Sequence, residues 1–77
     1  MGEESREFSV DVLERLRELV GESAEIEEEY GGYAIRIREE TLFPWSKVCG
    51  LLIGLNHEVW IERRGEHLYV VSKPIAD

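Results

Sequence analysis

Apolar residues recur at intervals of three and four near the start of the chain, as Val12, Leu13, Leu16, Leu19 and Val20. That spacing lines one side of an α-helix. Ser9 is a good N-cap for it, and Phe8 and Leu13 have the separation of a hydrophobic staple. Asp11 and Arg15, and Glu14 and Arg17, are spaced to pair on the solvent side. Gly21 supplies a left-handed stop. The pattern predicts a helix over residues 10–20, behind a polar, frayed segment 1–7.

Residues 24–39 (AEIEEEYGGYAIRIRE) switch to a period of two. Gly31-Gly32 suits a two-residue hairpin turn, which needs positive φ at both central positions. That turn would make paired residue numbers sum to 63. Ile26 then faces Ile37, Glu28 faces Ile35 and Tyr30 faces Tyr33 on an apolar side. Glu27 faces Arg36 and Glu25 faces Arg38 on an ionic side, where opposite charges support the pairing. The hairpin is expected to bury one face and show the other to solvent.

Residues 45–55 (WSKVCGLLIGL) are apolar enough for a buried strand or a helix. Length favours the helix, with Pro44 suited to its first turn and Asn56 to its end. Trp45, Val48, Leu52 and Leu55 form the stripe, widened by Cys49, Leu51 and Ile53. Gly50 and Gly54 share a helical face and each costs about 1 kcal/mol relative to alanine. Close approach of this helix to a neighbour would offset that cost.

The densest run of β-formers follows in His57–Lys73, HEVWIERRGEHLYVVSK. With a two-residue turn at Arg64-Gly65, paired numbers sum to 129; a bulge at Gly65 would shift the pairing by one and leave each strand's two faces unchanged. Ile61 and Leu68, and Val59 and Val70, share one face. Trp60 and Tyr69, Glu62 and His67, and Glu58 and Val71 share the other. Pro74 ends the strand because it has no N–H for the ladder, leaving residues 75–77 as a frayed tail.

The order helix, hairpin, helix, hairpin reads as a tandem α-β-β repeat. It predicts one α+β domain over residues 1–77, a two-layer sandwich in which a four-stranded antiparallel sheet carries both helices on one face. Inward positions are Ile26, Tyr30, Tyr33, Ile35 and Ile37 with Val59, Ile61, Leu68 and Val70. Two helices cannot cover both sides of the sheet, so the outer face keeps Trp60, Tyr69 and Val71 beside Arg36 and Arg38. A clustered apolar surface of this kind marks an interaction site, and Trp, Tyr and Arg are enriched at interface hot spots.

Composition narrows the partners. The chain has 77 residues and a net charge of −8, with 17 acidic against 9 basic side chains. That charge opposes attraction of the whole domain to nucleic acid or anionic lipid. A single cysteine, Cys49, allows no internal disulfide and suits a reducing compartment. Residues 1–7 lack a charged-then-apolar leader pattern, and the apolar run Val48–Leu55 is too short to span a bilayer. A cytoplasmic protein is expected. A domain this small has a thin stability margin, which association can widen.

Candidate chemistry is sparse. Ser46 and Cys49 have no nucleophile motif or base at diagnostic spacing, and Cys49 reads as a small buried hydrophobe. Cys49, His57 and His67 lack metal-ligand spacing, and Glu27, Glu28 and Glu29 alternate across a strand. The glycine pairs lack the strand-loop-helix setting and lysine of a phosphate loop. His67 opposite Glu62 reads as a surface pair. No catalytic residue, cofactor or metal is expected.

The sequence therefore points to a non-enzymatic interaction module, a homodimer or a subunit of a complex. Trp60 and Tyr69 would be its anchor, with Val71 beside them at the interface, and Arg36 and Arg38 its rim. A single-stranded nucleic-acid binder using the same aromatic face is the alternative. A small-molecule sensor with a pocket near Cys49 and His57 is a third reading.

Overall fold

The computed structural model describes residues 12–75. The expected N-cap Ser9, the staple partner Phe8, the frayed segment 1–7, Asp11 and the last two residues lie outside the described residues. Helix α1 occupies 12–20 in the described part, followed by a 3₁₀ turn, Gly21–Ser23. Strands β1 (Ala24–Glu29) and β2 (Gly32–Ile37) form the first hairpin. Helix α2 (Trp45–Gly54) precedes the second, β3 (His57–Arg64) and β4 (His67–Pro74). The strands make one antiparallel sheet in the order β1-β2-β4-β3.

Both helices lie on one face, because the core joins Val12, Leu16 and Val20 of α1 and Val48 and Leu52 of α2 to Ile35, Ile37 and Val70 of the sheet. Residues on one face of a strand alternate. The helical side of the two central strands is thus Tyr33, Ile35 and Ile37 with Leu68, Val70 and Ser72. The two-layer α+β sandwich is the observed architecture. The order of elements recurs, but residues 35 positions apart, such as Glu29 and Arg64 or Gly31 and Glu66, are mostly unlike. That recurrence does not establish a duplicated sequence.

Both turns differ from the sequence expectation by one residue, in opposite directions. The first is Tyr30–Gly31, with φ of 52° and 82°, so Glu29 pairs with Gly32 and paired numbers sum to 61. Gly32 is needed for another reason. A Cβ there would lie 1.9 Å from the Ser72 carbonyl oxygen, since the β4 backbone passes directly over it. The second turn is Gly65–Glu66, with Arg64 opposite His67 and a sum of 131. A sum that changes by two moves every partner and leaves every side chain on its expected face.

Further corrections follow from packing. Tyr30, expected to point inward, sits in the turn and is 90% exposed. Ile61 is on the helical side but 58% exposed, because β3 is an edge strand that the helices do not fully cover. Ile53 also faces solvent. Gly50 and Gly54 allow no close approach: a Cβ at either meets nothing within 4 Å. Asn56 ends α2 as expected, with φ of 67° and its N–H on the Ile53 carbonyl at 2.9 Å.

Candidate interaction surface

The register stacks the outer face in rows across the sheet. Glu27, Ala34, Val71 and Trp60 form one row, and Glu25, Arg36, Tyr69 and Glu62 the next. Four of the five residues expected at an interface, Trp60, Val71, Arg36 and Tyr69, thus share the outer face, and Arg38, just past β2, reaches Glu25 on it. Their exposure differs. Trp60 on the edge is 38% exposed, Tyr69 and Arg36 are half-buried, Arg38 is exposed, and Val71 is only 3% exposed. Val71 and Ala34 are buried outside the core cluster of the helical side, so the outer face has a small packed centre of its own.

Arg64 organises this face, a role that neither motif nor strand alternation predicts. Its guanidinium lies 4.8 Å above the Tyr69 ring, within cation–π range. Its Nε donates to Glu62 Oε2 at 2.8 Å, and its Nη1 and Nη2 donate to Glu29 Oε2 and Oε1 at 3.1 and 2.9 Å. Trp60 Nε1 donates to the other Glu62 oxygen at 2.9 Å. The hydrogen bonds from Arg64 hold the Glu29 carboxyl below its ordinary range, and those from Trp60 and then Arg64 do the same for Glu62. Glu62 therefore serves the indole and the guanidinium, and His67 stands opposite Arg64 instead of Glu62.

The arginines of the expected rim are engaged. Glu25 accepts from Arg36 Nη2 at 3.0 Å, directly across the strands, and from Arg38 Nη1 at 3.3 Å, on the diagonal. Arg36 Nε is buried without a hydrogen-bond partner. An open groove at the end of the face is bordered by Tyr30, Trp60, Val71 and Pro74, with Glu29 and Arg64 across it. Tyr30, at the β1–β2 turn, thus borders the same groove as Trp60.

The expected chemical centres lie elsewhere. His57 is on the helical side, with Nδ1 hydrogen-bonded to Ser72 Oγ at 3.1 Å and its ring stacked on Tyr33 at 6.2 Å. Burial lowers its pKa. Burial also raises the Cys49 thiol, away from thiolate chemistry. Among the described residues no three His, Cys, Asp or Glu side chains gather to hold a metal ion, and no helix is long and apolar enough to cross a membrane. No protein-family model matches the chain, and no curated protein or solved structure matches it.

Proposed function

We propose that this domain is a non-enzymatic interaction module that acts as a homodimer or as a subunit of a complex, associating through the β3 margin of its outer sheet face. The observation that carries this reading is Trp60, 38% exposed on an edge strand with its Nε1 already satisfied by Glu62. Such an indole presents apolar surface with its polar handle fixed, so covering it incurs no lost hydrogen bond. Burial of that surface stabilises a complex at about 25 cal/mol per Å². Tyr69 and Val71 back the indole, and Arg36 and Arg38 edge the patch. A reducing, cytoplasmic setting suits the single cysteine.

Sedimentation over a wide concentration range tests the homodimer. Wild type is expected to dimerise and Trp60→Asp to sediment as a monomer; a wild type monomeric at the highest concentration refutes self-association. Nucleic-acid binding is the weaker reading, because Glu25 is paired with both Arg36 and Arg38, and Glu29 and Glu62 with Arg64, so the three guanidinium groups and three carboxylates together carry no net charge. Phosphate attraction dominates such affinities, and this face offers little of it.

A further inference from the structure

Strand β3 closes one end of the sheet, and among the described residues no strand pairs with its outer edge. The Ile75 N–H donates to the Asn56 carbonyl at 3.1 Å, so this position belongs to the hydrogen-bonded set of the β3–β4 ladder. Bonded pairs alternate along antiparallel strands. Residues 58, 60, 62 and 64 therefore also bond to β4, while 57, 59, 61 and 63 aim N–H and C=O groups at the open side. The strand is eight residues long, its pairing is unbroken, and no proline interrupts it before its end. Edges of this kind template further pairing unless they are protected.

The two edges of the sheet are charged differently. β1 carries Glu25, Glu27, Glu28 and Glu29, so a two-fold pairing of β1 with itself centred anywhere in 25–29 sets acid against acid. β3 carries Glu58 near its start and Arg63 and Arg64 at its end. Antiparallel self-pairing lays that acidic start beside that basic end.

We propose that the partner at the β3 margin is a second copy of this chain, joined by antiparallel pairing of β3 with β3 across a two-fold axis at Ile61. The proposal rests on the interaction-module reading above and adds its partner, its edge and its register. Centred on Ile61, the pairing sets Glu58 opposite Arg64 of the partner subunit and Trp60 opposite Glu62 of the partner subunit. Ile61 meets its own counterpart as a bonded pair. Glu58 and Arg64 then form a non-bonded pair, the type whose side chains approach more closely. The neighbouring two-fold registers fail on charge. Centred on Trp60, Glu58 meets Glu62 and His57 meets Arg63; centred on Glu62, Glu62 meets itself and Glu58 meets Glu66. Of these three registers only the one centred on Ile61 leaves no like charges opposed; a register centred on Val59 opposes none either, but pairs only residues 57–61 of the strand and leaves Glu58 opposite Trp60 with no ionic partner. The Ile61 register also covers the two large apolar side chains exposed on β3, Trp60 on one face and Ile61 on the other.

Single-cysteine variants test the register, in a Cys49→Ala background. In the bonded pair the two Ile61 Cα atoms would stand about 5.5 Å apart, inside the range a disulfide bridges. Ile61→Cys is expected to give a covalent dimer under mild oxidation. Glu58→Arg, at an exposed position, is expected to weaken the dimer about tenfold by sedimentation, since two symmetric contacts change sign. Retained far-UV circular dichroism would show that both variants fold. A dimer that links through Trp60→Cys but not Ile61→Cys, and tolerates Glu58→Arg, overturns edge pairing and leaves association through the outer face standing. A wild type that is monomeric at every concentration overturns self-association by edge or by face, and leaves only the subunit-of-a-complex reading standing.

Discussion

Glu29 and Arg64 lie on opposite edge strands of the sheet, 35 residues apart, and meet in a two-point ion pair at 2.9 and 3.1 Å. Each is the last residue of the first strand of its hairpin. In a flat sheet these positions are diagonal corners, beyond the reach of any side chain. The right-handed twist of the strands brings one pair of corners toward each other over a face, and here it is the outer face. The contact ties the two hairpins together by side chains on the side away from the helices.

Removing either partner should therefore loosen the sheet as a whole. Arg64→Met and Glu29→Gln are each expected to lower Tm, and the double variant to lower it by less than the two effects added. Thermal unfolding of the four proteins measures that coupling. Additive losses would mean the pair does not act as a unit.

Stability should fall with acid in two windows. The His57 pKa is lowered by burial, so folding disfavours its protonated form. Its contribution is complete above the unfolded value of about 6.5 and declines as pH drops from there toward the folded value. Glu29 and Glu62 are lowered from 4.5 by their hydrogen-bond donors; their contribution is present above that value and is lost as pH falls through the folded values. Denaturation curves from pH 8 to 3 should show both declines, with His57→Gln flattening the upper one and Arg64→Met the lower.

Gly50 lies in the interior of α2, exposed and with open space where a Cβ would sit. Gly50→Ala should stabilise the domain by about 1 kcal/mol, a rise in Tm of roughly 4–8 °C for a domain of this size. Calorimetry that finds no gain would show that this face of α2 is in contact with something after all.

Tyr30 holds a left-handed backbone, φ 52°, while 90% exposed. That conformation costs a non-glycine residue about 1–2 kcal/mol, and asparagine before glycine favours this turn. Tyr30→Asn should raise Tm, as urea unfolding or a thermal scan can show. If the variant is more stable but dimerises less, Tyr30 contributes to the groove beside Trp60.

The faces of the strands were legible in the sequence, and their partners were not. Alternation assigned Trp60, Tyr69, Val71, Arg36 and Arg38 to one side whichever turn was chosen. The first turn lies one residue before Gly31-Gly32 because both glycines are permissive there, and only tertiary packing reserves Gly32 for the passing β4 backbone. Row-by-row pairing also cannot reveal Arg64, whose contact with Glu29 depends on the coil of the whole sheet. Val71 is buried on the outer face because it lies on a central strand between Ala34 and Trp60, a placement set by strand order and not by local pattern.

Gly32 carries a consequence for the integrity of the domain. Among the described residues the two hairpins share one backbone ladder, β2 with β4, and at its end a single hydrogen atom occupies the space a methyl group would need. Were that space filled, this end of the seam would have to shift apart. A two-stranded ribbon alone is marginal in water, so the smallest side chain in the alphabet guards one end of the one ladder that joins two such ribbons.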